Sequence, residues 1–294
     1  MRFIDQVEDE EGKAGTYFLT IGIVFLSIVF GQLISDFICI QSYGHSLMNI
    51  PNNANLNSIL ILLLLPFALV FGLLLVSVKF FHKRKILSVF TSRTKFDWRR
   101  FFTSFFIWGG IMGLFLVGTI LSGSDIRWNF NSSTFIPLLL ISLILIPIQT
   151  TAEELIFRGI LLQGFQRLFK KPIASILISS ILFGLLHGAN PEVAKLGYGL
   201  LIFYILTGVF LAVLTHLDDG IELGAGYHAI NNIFAAVVLT NDWQAFHTDA
   251  LFMDYSEPVF GWENILTLIV IQPILLIIFS KIYKWKNWKQ KLLK

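Results

Sequence analysis

Two adjacent glutamates and an arginine interrupt one of the most apolar parts of the chain, the stretch Thr150–Gly159 with the sequence TTAEELIFRG. A charged side chain near the centre of a bilayer costs about 2.5–3.5 kcal/mol on insertion scales, so such groups usually pair with one another or face a wet cavity. On a helix, Glu154 and Arg158 share a face because they are four residues apart, whereas Glu153 points about 100° away. The spacing predicts one ion-paired carboxylate and one free carboxylate.

The same residues allow a simpler interpretation. Thr150 with Glu153, or Thr151 with Glu154, has the spacing of a capping box that begins a surface helix. The following arginine would then form an ordinary surface pair. This alternative predicts that the stretch is exposed and starts a helix.

Two further polar sites interrupt apolar helices. His187 ends the segment Phe183–His187, and His228 and Asn232 lie four residues apart on one side of a later helix. A single histidine in such a helix more often packs or forms a hydrogen bond than reacts. Here two histidines, two glutamates, an arginine and an amide fall within about eighty residues, which favours a reactive site.

Peptide hydrolysis fits this set of side chains. It needs a base that takes a proton from water, and a carboxylate desolvated among apolar side chains can have a pKa raised toward neutrality. Glu153 suits that task, with His187 placed to share or orient the proton. Donors aimed in advance at the oxyanion of the tetrahedral intermediate stabilise it, and His228 and Asn232 are suitable donors.

A metal site is the alternative mechanism. Glu153, His187 and His228 form a plausible zinc set with an open position for water. The sequence contains no His-Glu-x-x-His, and Leu217–Gly220 (LDDG) lacks the partner motif of site-2-type metalloproteases and predicts a turn. No Gly-x-Ser-x-Gly-like serine and no Gly-x-Gly-Asp aspartate is present. The sequence favours metal-free glutamate catalysis with no cofactor, and zinc remains the alternative.

The elements that must position these residues are membrane helices. Of 294 residues, 55% are hydrophobic and 14% are charged, which is too little polar surface for a soluble protein of this size. Windows of about twenty apolar residues recur along the chain. We predict an all-α polytopic bundle that forms a single domain over residues 1–294, with the chemistry in a core at 150–235. About eight transmembrane helices are expected, near 16–35, 56–78, 101–121, 134–155, 173–189, 198–215, 221–240 and 264–281.

Lys and Arg set the predicted orientation. The loop from Lys79 to Arg100 holds eight basic residues and the tail from Lys281 holds six lysines, so both termini are predicted to be cytoplasmic. The first span follows an acidic leader that ends at Glu11 and lacks a signal-peptide exit, which predicts an uncleaved helix. The net charge of +3 comes largely from the flanks and indicates contact with lipid headgroups and no nucleic acid. The single Cys39 excludes an internal disulfide.

The sequence distances from a shared turn relate the positions of Glu153 and His187. Lys170, in a predicted cytoplasmic turn, is midway between Glu153 and His187. If both helices are continuous, the two side chains lie at one depth about 25 Å from that turn, and the glutamate faces the histidine. His228 lies only about 14 Å from its own turn near Asp219, so the hairpin at Lys170 must project further into the cytoplasm.

The pattern Glu-Glu-x-x-x-Arg, then Phe-x-x-x-His, then His-x-x-x-Asn resembles the CPBP family, the CAAX proteases and bacteriocin-processing enzymes that are also called Abi and include the type II CAAX prenyl endopeptidase. The motifs cover about 153–232. The resemblance implies an intramembrane protease whose catalytic set is Glu153, Glu154, Arg158, His187, His228 and Asn232.

Within that set, the resemblance makes Glu153 the catalytic glutamate and His187 the residue that helps it to activate water. The third motif, His228 and Asn232, would hold the oxyanion. Every motif position is filled by the expected residue type. Asn231 is adjacent but does not satisfy the family spacing.

The resemblance leaves several roles open. It implies a protease that acts on a membrane-associated or lipidated, CAAX-like peptide, with membrane lipids as further partners. The Phe-rich composition (29 Phe) and the compact loops favour the plasma membrane of a bacterium. A non-catalytic bacteriocin immunity protein and a proton-coupled transporter are the alternatives. The acidic segment 241–263 predicts a solvated extracytoplasmic loop, with attraction of a cationic peptide as the second interpretation.

Overall fold

The computed structural model describes residues 2–7, 14–50 and 54–293, which form a helical bundle with one small sheet. Glu11 and most of the acidic leader therefore lie outside the described residues. The α-helices are α1 (Ala14–Tyr43), α2 (Leu56–Phe80), α3 (Trp98–Leu121), α4 (Ser132–Glu154), α5 (Leu162–Phe169), α6 (Pro172–Leu186), α7 (Pro191–Leu196), α8 (Tyr198–Asp218), α9 (Glu222–Ile233), α10 (Trp262–Leu266), α11 (Gln272–Tyr283) and α12 (Trp288–Leu293). The strands are β1 (Ile126–Trp128), β2 (Leu239–Thr240) and β3 (Phe252–Asp254).

Seven helices of the described residues are long and apolar enough to cross a membrane, which confirms the predicted polytopic all-α bundle. The count differs from the expected eight by one. The span predicted at 221–240 is present as α9 and a π-helical turn, Phe234–Val238, that continues it, and this helix is slightly too short to count among the seven. It packs against α3, α4 and α8 and buries residues 222–229. A helix enclosed by protein does not need the length of a lipid-facing span, because its neighbours replace the bilayer around it.

The fourth span is much longer than its hydropathy predicts. From Ser132 the helix continues without a break to Phe169, a length of 38 residues. At 1.5 Å per residue this is about 55 Å, well beyond the roughly 30 Å of hydrocarbon. The chain then reverses at Lys170, which adopts a left-handed conformation (φ 51°), and α6 begins at Pro172. The helix is therefore long enough for the hairpin to extend beyond the bilayer, as the prediction from the unequal depths of the two histidines requires.

Small residues allow the helices that carry the site to pack closely. A Cβ added to Gly226 of α9 would lie 2.0 Å from the carbonyl oxygen of Phe101 on α3. A Cβ on Gly184 of α6 would lie 2.8 Å from the backbone nitrogen of Ile205 on α8. Close approach of backbones at glycine is the usual way in which membrane helices gain packing contacts. The site residues are thus held by closely packed α4, α6, α8 and α9.

Both ends of the described chain meet at one end of the bundle. Asp219 accepts a hydrogen bond from the backbone N–H of Phe3 at 3.2 Å and pairs with Lys291 at 2.6 Å. Next to it, Asp218 forms ion pairs with Arg93 and Arg100, which come from the basic loop. The predicted turn at Leu217–Gly220 is confirmed, since α8 ends at Asp218 and Asp219 has a left-handed φ of 58°.

A three-stranded sheet closes the opposite end of the bundle. β3 pairs with β1 in antiparallel and with β2 in parallel orientation. The sequence predicted only loops there, because the strands are two or three residues long and carry no readable alternation. The sheet joins the acidic segment to the α3–α4 connection and fixes the far end of α9.

Candidate active site

Glu154 and Arg158 form the ion pair that their spacing predicts. The Arg158 Nη1 donates to Glu154 Oε1 at 3.1 Å, and both side chains are buried, with 1% and 0% exposed. The guanidinium also donates to the backbone carbonyl of Gly208 at 3.2 Å and lies 4.4 Å from the ring centroid of Phe183. A buried ion pair needs such additional partners to offset its desolvation.

The capping-box interpretation is wrong. Thr150 lies deep within α4, far from the helix start at Ser132, and is fully buried. Its hydroxyl donates to the carbonyl of Ile146 at 3.0 Å, and its oxygen does not accept from a backbone N–H group at a helix start. The charges are therefore embedded in the bundle.

Directly after Glu154 the helix changes to π-helical winding over Leu155–Leu161. A second π-helical turn, Phe234–Val238, follows α9 two residues after Asn232. Such wide turns are rare and occur frequently at functional sites. The first stretch contains Arg158 and the second begins just after Asn232, so both adjoin polar residues of the site. A third π-helical turn, Thr267–Ile271, lies between α10 and α11.

His228 lies between the two glutamates. Its Nδ1 is 2.8 Å from Glu154 Oε1, and its Nε2 is 3.6 Å from Glu153 Oε2. The Arg-paired carboxylate can only accept, so Nδ1 carries the proton of that hydrogen bond. The Nε2 atom is then directed toward Glu153. Tertiary packing of α4 on α9 thus joins the first and third motifs.

Glu153 has one engaged oxygen and one free oxygen. Its Oε1 accepts a hydrogen bond from Nε2 of Gln149, one turn earlier in α4. Its Oε2 is buried and has no hydrogen-bond partner among the described residues. The side chain is 8% exposed, so the free oxygen lies in a protected position with little competition from bulk water. A carboxylate oxygen in such a position is suited to accept a proton from a bound molecule.

Asn232 is held by amides that the sequence motifs do not include. Its Nδ2 donates to Gln149 Oε1 at 3.1 Å, and its Oδ1 accepts from Nδ2 of Asn231 at 3.3 Å. Asn231 in turn accepts from the indole N–H of Trp108 at 3.2 Å. Gln149 could have been found from the sequence because it is four residues before Glu153 on one helical face. Trp108 carries no such signal, since it lies on a separate helix.

His187 is held by two aromatic residues, Phe183 and Tyr204. It begins a short 3-10 turn after α6, its Nδ1 is 2.8 Å from the carbonyl of Phe183, and its ring stacks on Tyr204 with centroids 4.4 Å apart. No hydrogen bond or ion pair joins it to Glu153 among the described residues. Register predicts that His187 lies at the depth of Glu153 and can face it across the hairpin, and this stays a prediction.

The Phe of the second motif connects the parts of the site. The ring of Phe183 lies 4.6 Å from that of His187 and 6.0 Å from that of His228, centroid to centroid, and it covers Arg158. Tyr204, whose ring stacks on that of His187, donates its hydroxyl to Glu192 Oε1 at 2.9 Å. The histidine ring therefore contacts two aromatic rings, one of which is held by a carboxylate.

The zinc alternative requires Glu153, His187 and His228 to lie together around one metal ion. The described residues contain no group of three His, Cys, Asp or Glu side chains arranged to hold a metal ion. His187 directs its Nδ1 to a backbone carbonyl and stacks on an aromatic ring, which leaves its Nε2 free. The choice between glutamate-type and metal-type catalysis stays a prediction.

The fold and the site define a polytopic helical membrane protein with a buried glutamate, histidine and asparagine centre. Residues 132–234, from α4 to the π-helical turn after α9, match the family model described as type II CAAX prenyl endopeptidase Rce1-like. The chain is also 35% identical over 217 residues to the uncharacterized protein YyaK of Bacillus subtilis (strain 168), an alignment that covers 73% of this chain and 71% of YyaK. No solved structure matches the chain. The chain belongs to the Rce1-like family of CAAX-type membrane proteases, which confirms the resemblance seen in the motifs.

Proposed function

We propose that this protein is an intramembrane endopeptidase that hydrolyses a peptide bond in a membrane-associated or lipidated, CAAX-like substrate. The observation that carries the proposal is the free Oε2 of Glu153, buried beside the imidazole of His228 and left without a hydrogen-bond partner. An orphaned carboxylate oxygen inside a bundle is unfavourable for stability and is usually kept for a functional reason. Family membership supplies the reaction class.

In the proposed reaction, Glu153 takes a proton from a water molecule as the water oxygen attacks the carbonyl carbon of the substrate. The carbonyl oxygen becomes an oxyanion, which accepts hydrogen bonds from Asn232 and from His228. In its imidazolium form His228 donates from both nitrogens, from Nδ1 to Glu154 and from Nε2 to the oxyanion. The carbon–nitrogen bond then breaks, and the proton held by Glu153 passes to the leaving amine.

His187 has a supporting role in this proposal. With Nδ1–H donated to the carbonyl of Phe183, its Nε2 carries a lone pair that can accept a hydrogen bond from the attacking water and orient it while Glu153 takes the proton. The stacked ring of Tyr204 keeps that nitrogen in one orientation. The catalytic set is therefore proposed to be Glu153, Glu154, Arg158, His187, His228 and Asn232, of which Glu154 and Arg158 act by holding His228.

We place the enzyme in the plasma membrane of a bacterium, with both termini in the cytoplasm. The similarity to a Bacillus protein and the basic residues at the end of the bundle where the termini meet support this placement. The seven long apolar helices support a multi-pass protein.

The test is cleavage of a quenched peptide library, free and lipidated, by purified protein in detergent. Wild type is compared with Glu153→Gln and His187→Ala, each with and without a metal chelator. The proposal expects cleavage by wild type that both substitutions reduce by at least about 100-fold and that the chelator leaves intact. Loss of activity with chelator and recovery with zinc would place the site in the metal class.

The two non-catalytic alternatives give different results. A bacteriocin immunity protein would protect cells equally well after Glu153→Gln and would cleave nothing. A proton-coupled transporter would show substrate-dependent proton uptake in proteoliposomes without peptide products. Either result overturns the protease proposal.

A further inference from the structure

Four hydrogen bonds join five side chains in an unbroken line from α3 to the free carboxylate. The indole Nε1 of Trp108 donates to Asn231, Asn231 donates to Asn232, Asn232 donates to Gln149, and Gln149 donates to Glu153. We call this line the amide chain. Three of its members, Trp108, Asn231 and Gln149, lie outside the three sequence motifs.

The direction of the amide chain is fixed at both ends. An indole N–H can only donate, so the Asn231 atom that faces it must be the oxygen. The amide nitrogen of Asn231 must then face Asn232, and each following amide is oriented by the one before it. At the far end an ionised carboxylate can only accept, which requires the nitrogen of Gln149 to face Glu153. No amide in the chain can be flipped without placing two donors or two acceptors against each other.

The amide chain leaves free the atoms that the proposed reaction needs. It occupies Oε1 of Glu153 and leaves Oε2 without a partner. It uses one N–H of the Asn232 amide on Gln149, and the second N–H meets no acceptor among the described residues. A flipped Asn232 would present its oxygen in place of that N–H and would repel an oxyanion. Orientation of the asparagine therefore decides whether it stabilises or opposes the intermediate.

The far end of the chain is rigidly supported. Trp108 is 5% exposed, and its ring stacks on that of Tyr227 with centroids 4.7 Å apart and planes 21° apart. Tyr227 immediately precedes His228 in α9, so the same helix carries the support and the site. Gln149 is 5% exposed, which protects both of its hydrogen bonds from competition by water.

We propose that Trp108, Asn231 and Gln149 are positioning residues that set the orientation of Asn232 and reserve Oε2 of Glu153 for the reaction. This inference rests on the proposed peptidase function and deepens it. The three residues touch neither water nor substrate in the proposed reaction. They act through the catalytic pair at the end of the amide chain.

The kinetic test compares Trp108→Phe, Gln149→Met and the double variant with wild type. Phe keeps an aromatic ring next to Tyr227 and removes only the N–H, and Met keeps the length of Gln149 without its polar atoms. We expect each single substitution to lower kcat about tenfold or more with little change in KM, because the substrate still binds while the intermediate is less well held. The double variant should lose less than the product of the two single losses, since both break one chain.

Two further variants sharpen the comparison. Gln149→Glu keeps the shape and the acceptor for Asn232 but cannot donate to an ionised Glu153, and it should lose as much kcat as Gln149→Met. Gln166→Met is the matched control, because Gln166 is also a buried glutamine of the same long helix and lies outside the chain. It should cleave like wild type.

A second readout does not depend on activity. In protein labelled with ¹⁵N-tryptophan, the indole resonance of Trp108 is assigned by its loss in Trp108→Phe. It should move upfield in Asn231→Leu, which removes its acceptor, and should move by a smaller amount in Gln149→Met. An indole resonance that does not respond to Asn231→Leu overturns the amide chain.

The outcomes separate the two proposals. If wild type cleaves and the chain variants cleave equally well, or lose activity through KM alone, the positioning role is wrong and the peptidase function stands. If wild type cleaves no peptide while the indole resonance responds as expected, the peptidase function is wrong and the catalytic role of the chain fails with it.

Discussion

The carboxylate of Glu154 lies 2.8 Å from Nδ1 of His228, and this contact ties the helix of the first motif to that of the third. The same oxygen of Glu154 accepts from Arg158 at 3.1 Å. All three side chains are buried. Each of the three side chains offsets the desolvation cost of another. Removal of one therefore leaves the others buried without a partner, at the full free-energy cost of their desolvation.

The two neighbouring glutamates should therefore respond differently to the same substitution. Glu154→Gln leaves the buried guanidinium without its counter-charge, and we expect it to lower the free energy of unfolding by about 3–5 kcal/mol and to abolish cleavage. Glu153→Gln should abolish cleavage with an unfolding free energy close to that of wild type, because Oε2 has no partner to lose. Denaturant unfolding in detergent, measured beside peptide cleavage, separates the two effects. Glu263→Gln, at an exposed position, is the control. Equal destabilisation by Glu153→Gln and Glu154→Gln would contradict this assignment.

Gly226 should not tolerate even a methyl group. In Gly226→Ala the new Cβ would lie 2.0 Å from the carbonyl oxygen of Phe101, so α3 and α9 would have to separate. We expect a loss of about 1–3 kcal/mol in the free energy of unfolding and reduced activity, since both Trp108 and His228 depend on this packing. The matched control is Gly110→Ala on α3, where nothing lies within 4 Å of the added Cβ. It should be neutral or more stable by up to about 1 kcal/mol, because alanine favours the helix. Thermal unfolding of both variants decides the point, and a neutral Gly226→Ala would show that the helices are further apart than described.

His82 should make stability depend on pH. It lies just beyond α2, outside the spanning helix, where burial and, secondly, the charge of Arg84 lower its pKa to about 4. The unfolded chain, with a histidine pKa near 6.5, binds a proton first as the pH falls. The stability that neutral His82 confers is thus complete above about pH 6.5 and is lost progressively down to about pH 4.

The measurement for His82 is the free energy of unfolding across that pH range. Wild type should lose stability on acidification, and His82→Gln should show a flatter profile even if it is less stable at neutral pH, because its hydrogen bond to Thr20 is changed. His45→Gln, which alters an exposed histidine, should keep the wild-type slope. A His82→Gln profile as steep as that of wild type would assign the pH dependence to another group.

The predicted orientation can be tested with single cysteines. Cys39 is fully buried, so it contributes little background labelling in intact cells. Lys95→Cys, on the basic loop at the end where the termini meet, should resist a membrane-impermeant thiol reagent, and Glu257→Cys, in the acidic segment at the other end, should react. Both positions are exposed, which makes them matched in accessibility. The reverse labelling pattern would invert the topology.

The positions of the helices could be predicted from the sequence because they depend on local hydropathy. The pair formed by Glu154 and Arg158 was also predictable, since spacing along one helix determines it. The contact between Glu153 and His228 was not, because it depends on how α4 and α9 rotate against each other. Register correctly placed the turn at Lys170, but it did not indicate that His228 lies beside Glu153. The spacing of residues along the sequence does not determine how two separate helices rotate about their own axes.

Asn231 shows the limit of reading a motif by spacing alone. Its neighbour Asn232 satisfies the family pattern, and that made Asn231 look incidental. In the structure its amide accepts from Trp108 and orients Asn232. A residue can thus serve a site through the neighbour that the motif names.

In a regular α-helix, the number of residues between two side chains determines the angle between them. The π-helical turns next to the site change that angle without a change in the rest of the helix. Each such turn accommodates one residue more than an α-helical turn. The winding over Leu155–Leu161 therefore shifts the face presented by α5 relative to that of α4. Deletion of one residue after Arg158 within it would restore regular winding while Glu153, Glu154 and Arg158 kept their places. The hairpin beyond would then rotate by about one residue step, and α6 would carry Phe183 and His187 with it.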